Sequence, residues 1–99
     1  MKNENSKSSM FVDATRELIS IKGEEASNFL QKIITQDVIV NPYKLKYSAL
    51  LNPQGKYLFD FFIFKKNDFF ILDIDKKYSD DLIEKINFYK LRANIEIQK

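Results

Sequence analysis

The stretch from Tyr47 to Phe64 constrains the fold more than any other part of the chain. Two apolar runs flank Asn52-Pro53-Gln54-Gly55. This is a strand, a tight turn with Gly55 free to take a positive φ, and a second strand. The second run, Tyr57-Leu58-Phe59-Asp60-Phe61-Phe62-Ile63-Phe64, is apolar on both faces except at Asp60. A strand packed beneath helices needs only one apolar face. The chain has 99 residues, enough for one modest core and not for two. The second face is therefore expected to meet something beyond these residues.

The rest of the chain reads as an α+β domain. Glu17 to Lys22 alternates as a short strand ended by Gly23. Glu24 and Glu25 carry negative charge where a helix starts, and Ala26, Phe29, Leu30, Ile33 and Ile34 follow the spacing of one helical stripe. Asn41-Pro42 marks the loop after it. A hairpin through Lys65-Lys66-Asn67-Asp68 leads to a strand over Phe69–Asp75. Ser79 is the expected N-cap of a second helix, with Asp80 and Asp81 in its first turn and Leu82, Ile83, Ile86 and Phe88 or Tyr89 as its stripe. Ala93, Ile95 and Ile97 alternate as a last strand. The order is β-α-β-β-β-α-β, with a largely antiparallel sheet and two helices. Residues 1–10 are read as a disordered tail and 11–99 as one domain.

The expected hairpin register sets Phe64 opposite Phe69, Phe62 opposite Ile71 and Asp60 opposite Asp73. The alternate set, Phe59, Phe61, Ile63, Phe70, Leu72 and Ile74, would lie under the helices. The first set would form an aromatic patch with two carboxylates side by side, a mark of an interface or ligand groove. Paired acids of this kind repel, and one is expected to hold its proton more tightly.

Several functions are excluded. The chain has no Cys and no His, which removes thiol chemistry, structural zinc, disulfides and imidazole catalysis within it. Two carboxylates without His offer at best an open Mg²⁺ or Ca²⁺ site. The net charge is +2 and the lysines are scattered among acids, so no direct nucleic-acid partner is expected. No apolar run approaches the ~18 residues of a membrane span. Met1 to Ser9 has no apolar core of a secretory signal, and a cytoplasmic location is expected.

Four pieces in order carry a resemblance. They are Arg16-Glu17-Leu18-Ile19-Ser20-Ile21-Lys22-Gly23-Glu24-Glu25-Ala26-Ser27-Asn28-Phe29-Leu30-Gln31, then Thr35-Gln36-Asp37-Val38, then Tyr47-Ser48-Ala49-Leu50-Leu51-Asn52-Pro53-Gln54-Gly55-Lys56, then Asp60. Together they resemble the start of the YgfZ family, folate-binding proteins related to the glycine-cleavage aminomethyltransferase. The resemblance runs from about Arg16 to the C-terminus. It implies the first half of a folate-binding domain, whose cleft is completed by a second copy or a C-terminal partner chain. The family's K-G-C-[YF]-x-G-Q-E motif is not among these residues. The resemblance also implies tetrahydrofolate as ligand, iron–sulfur client proteins, and assembly or repair of iron–sulfur enzymes, including ones that modify tRNA. The relatives' adjacent acid pair corresponds to Phe59-Asp60, so one acid has become a phenyl ring and aminomethyl transfer is not expected. Tyr47 matches a tyrosine lining the folate side, and Asp75 stands where relatives carry Asn.

The residues make their own case for a pterin. The ring is flat and rich in N–H donors, so phenyl faces can sandwich it and a carboxylate can accept two N–H groups at once. The folate-binding candidates are Tyr47, Asp60, Phe62, Asp73, Asp75 and Arg92, with Lys56 or Arg92 for the glutamate tail. Three alternatives stay open: a dimerising interaction domain, a truncated remnant of a split reading frame, and a fragment of an aminomethyltransferase-like folate enzyme.

Overall fold

The computed structural model describes residues 14–35 and 41–99. The expected tail, the expected start of the domain at residue 11, and the Gln36-Asp37-Val38 part of the second motif lie outside the described residues. The elements are β1 (Arg16–Lys22), α1 (Ala26–Ile33), β2 (Lys46–Leu51), β3 (Tyr57–Lys66), β4 (Phe69–Asp75), α2 (Ser79–Lys90) and β5 (Glu96–Gln98). A short 3₁₀ turn, Lys76–Tyr78, leads into α2. The strands form one antiparallel sheet in the order β2-β3-β4-β1-β5. The α+β class and the element order match the sequence expectation.

Both helices cover one face of this sheet. Ile19, Ile21, Leu50, Phe61, Ile63, Phe70, Leu72 and Ile74 point into it and meet Ala26, Phe29 and Leu30 of α1 and Leu82 and Ile86 of α2. Phe62, Phe64 and Phe69 are not in that core and lie on the opposite, outer face. Phe62 is 38% exposed, and Leu18, one strand further along the same face, 54%. Lys22 covers part of the patch, its ammonium 5.6 Å from the Phe69 ring.

The hairpin register differs from the expected one. The turn is only Asn67-Asp68, with Asn67 at φ 57°, a conformation Asn tolerates well. Lys66 therefore pairs with Phe69, Phe64 with Ile71 and Phe62 with Asp73. The slip is an even number of residues, so every side chain keeps its expected face. The neighbours change. Asp60 and Asp73 are not opposite each other, and the expected pair of adjacent carboxylates is not formed. Asp60 pairs with Ala49 of β2 instead.

One capping expectation is also corrected. Ser79 is the first residue of α2 rather than its cap, and its Oγ donates to the Lys76 carbonyl at 2.9 Å. The capping carboxylate belongs to Asp75, which accepts the Lys77 N–H at 3.1 Å. Glu25 precedes α1 without a side-chain cap. Its carboxylate reaches across to accept the Asn94 N–H at 2.7 Å. Gly23, at φ +130°, makes this approach possible: a Cβ there would lie 2.2 Å from the Asn94 carbonyl oxygen.

Three variants test this packing by urea denaturation. Gly23→Ala is expected to destabilise by about 2–4 kcal/mol, because backbone must move as well as strain. Phe61→Ala is expected to cost roughly 3–5 kcal/mol. Phe62→Ala, one residue along the same strand, is expected to cost under about 1.5 kcal/mol, because its ring already meets water. Equal losses at Phe61 and Phe62 would contradict the assignment of faces.

Candidate functional site

The outer face gathers polar groups at one end, where β2 and β3 meet. Tyr47 on β2 is the Cα partner of Phe62 on β3, and Ala49 is the partner of Asp60. The Tyr47 hydroxyl donates a short hydrogen bond to Asp60 Oδ2. The Tyr47 and Phe62 rings stand edge to face, 5.6 Å apart at 63°. A carboxylate, a phenol and a phenyl ring thus share one patch.

A β-bulge adds a fourth group. Leu50 pairs with Phe59, but Leu51 pairs with Tyr57, so Leu58 is an extra residue in β3. Leu58 and Phe59 both pack against the core. Strict alternation would send Tyr57 to the helix side with Phe59 and Phe61. The bulge re-aims it, and it hydrogen-bonds with Asp60 and interacts with Tyr47.

These contacts set the electrostatics. The hydrogen bond from Tyr47, then that from Tyr57, hold the Asp60 carboxyl below its ordinary range, and the Arg16 guanidinium adds to this. The same bond to Asp60 raises the Tyr47 phenol. Tyr57 is raised by desolvation and by its bond to Asp60. Asp60 is therefore a firmly ionised acceptor on an exposed face.

Arg16 and Asp73 sit alongside. Arg16 Nε bonds Asp73 Oδ1 at 2.9 Å, and its Nη2 bonds the Asp73 carbonyl at 2.8 Å. Asp73 is thus engaged by a cation rather than by Asp60. Tyr47, Asp60, Phe62 and Asp73 are brought to one region of the outer face. Asp75 ends β4 opposite Arg16, with its carboxylate used as a cap. Arg92 does not join them; it is exposed in the turn after α2. Lys56 is exposed in the Asn52–Gly55 turn, its N–H bonded to Asn52 Oδ1 at 2.8 Å. Sequence reasoning missed Arg16 and Tyr57 as site residues. The available signal for Arg16 was its place at the head of the first motif; Tyr57 gave none.

Chemically, the patch can accept N–H donors from a flat ring and lay aromatic edges against it. It holds no nucleophile–base pair, and no group of three potential metal ligands occurs among the described residues.

The pH dependence follows from these groups. The folded state favours ionised Asp60, so its stabilisation is complete above about pH 4 and is lost as pH falls through the lowered folded value. The folded state favours neutral Tyr47 and Tyr57, so theirs is complete below about pH 10 and is lost as pH rises through the raised values. In an ultraviolet titration of the five tyrosines, two are expected to ionise late. Asp60→Asn is expected to bring both down toward the others. An unchanged curve in that variant would disprove the cluster.

No family model matches the chain. It is similar to the protein named iron–sulfur cluster assembly factor IBA57 homolog, mitochondrial, of Pyricularia oryzae, 35% identical over 88 residues, covering 85% of this chain and 23% of that protein. The protein of the same name in Coccidioides immitis is 30% identical over 99 residues, covering 84% and 23%. An uncharacterized protein of Aquifex aeolicus is 33% identical over 73 residues, covering 73% of this chain and 48% of that one. The chain spans about a quarter of the length of the fungal relatives it matches. Among solved structures, the glycine cleavage system aminomethyltransferase T of Bartonella henselae matches with a TM-score of 0.76 at 19% identity, over 85% of this chain and 24% of that one. The chain therefore has the fold of part of an aminomethyltransferase T and sequence relatives among fungal iron–sulfur cluster assembly factors.

Proposed function

We propose that this chain is a YgfZ-type folate-binding module that serves iron–sulfur protein assembly or repair, and that it works by binding rather than by turnover. The observation that carries this reading is the Tyr47–Asp60 hydrogen bond beside Phe62 on the sheet face that the helices leave open. An ionised carboxylate accepts N–H groups from a pterin edge, and the neighbouring rings flank its plane. The names of the fungal relatives support the iron–sulfur role. The shared fold with aminomethyltransferase T supports a folate ligand. Phe59 stands where the resemblance places a second acid, which argues against aminomethyl transfer by this chain. A link to tRNA-modifying iron–sulfur enzymes rests on the family resemblance alone. In this reading residues 11–99 act as one domain, in the cytoplasm, and Asp73 and Asp75 are secondary folate contacts; Arg92, in the turn after α2, takes no part.

The exposed rings of the outer face favour a further element of this reading. A second copy or a partner chain packs there and completes the cleft. Light scattering after size exclusion checks the first case, with a dimer as the expected result.

Calorimetry with tetrahydrofolate tests the ligand. Binding in the micromolar range or weaker is expected, because one set of residues lines only part of a cleft. Asp60→Asn and Phe62→Ala are each expected to weaken it by roughly tenfold. No heat and no thermal shift at millimolar ligand would remove the folate reading.

A further inference from the structure

The sheet splits beside Asp60. The β3–β4 ladder stops at the pair Phe62 and Asp73. The outer ladders continue, β2 with β3 as far as Tyr57 and β1 with β4 as far as Asp75. Extending the register two places would set Asp60 opposite Asp75, two like charges facing across a strand pair, which disfavours closure. The chain instead leaves the sheet through the 3₁₀ turn Lys76–Tyr78.

A cavity of about 230 Å³ fills the resulting notch, lined by Tyr57, Leu58, Phe59, Asp60 and Tyr78. Three of the five residues are aromatic and one is a carboxylate. The Phe59 and Tyr78 rings are tilted at 57° with centroids 6.2 Å apart, so they form a corner rather than a stack. Tyr78 already takes a cation: the Lys77 ammonium lies 5.2 Å from its centroid. Arg16, the nearby guanidinium, is held by Asp73 and does not neutralise the notch by direct pairing. Aromatic faces attract cations through their quadrupoles, and a carboxylate matches the paired N–H groups of a planar one.

We propose that this notch is a binding site for a small flat organic cation of the guanidinium or amidinium class. Asp60 accepts its N–H groups, and Tyr57, Phe59 and Tyr78 supply the walls. Neither Phe62 nor Tyr47 lines the notch, and the site does not depend on the folate reading.

Nitrogen-15 NMR of the full chain tests it, with methylguanidinium as probe and N-methylurea as its uncharged isostere. Methylguanidinium is expected to give saturable shifts at Tyr57, Asp60 and Tyr78 in the millimolar range, on the order expected for a single exposed charge pair with cation–π contacts. N-methylurea is expected to give none. Asp60→Asn, checked as folded by its own spectrum, is expected to weaken binding by roughly tenfold. Tyr78→Leu is expected to weaken it several-fold and to leave tetrahydrofolate binding unchanged, while Phe62→Ala does the reverse. Equal shifts with the urea, shifts that survive in Asp60→Asn, or no saturable shift at all would overturn the site.

Discussion

The two-residue turn at Asn67-Asp68 governs the outer face of this protein. Because Asn67 accepts a positive φ, the hairpin closes tightly and pairs Lys66 with Phe69. That register carries Phe62 to Asp73 and would carry Asp60 to Asp75. The ladder holds at the first pair and fails before the second. The position of the turn thus decides where the sheet stays whole, where it opens, and which carboxylate stands at the opening. A looser four-residue turn would have set Asp60 beside Asp73.

Much of the architecture was legible in the residues. Period-two alternation in β3 and β4 gave both faces correctly, because an error of two residues cannot exchange them. The stripes of α1 and α2 and the Asn52–Gly55 turn were equally plain; Gly55 takes φ +83° as its turn requires. The neighbours within a face were not legible. Turn length was ambiguous among Lys65, Lys66, Asn67 and Asp68, and register follows from it. The bulge at Leu58 was hidden because Leu58 and Phe59 are both apolar and read as ordinary strand. Its effect on Tyr57 was therefore invisible. The second role of Asp75 was not legible either: its Oδ1 caps the next turn by accepting the Lys77 N–H, a local bond common at short polar side chains.

The outer face centres on one ionised acceptor among aromatic rings. Asp60 is kept charged by two phenols and stands without a second acid on its own strand. Such a group binds donors well and has no proton to give near neutral pH. Aromatic rings lie on both sides of it, Phe62 on one and Phe59 with Tyr78 on the other. The same carboxylate can therefore serve two neighbouring surfaces, one open to a large partner and one sized for a small group.

The pairing of β1 has a consequence for how the chain is made. Among the described residues β1 has no strand partner near it in sequence: it lies between β4 and β5, so Arg16 waits for Asp75 and Lys22 for Glu96. Some fifty residues must follow β1 before its first neighbour exists, which at about 5–20 residues per second means several seconds on the ribosome. Through that interval Ile19 and Ile21 lack their β4 partners Leu72 and Phe70. This strand is secured late, and the contact between Glu25 and Asn94 is the fastening that completes it.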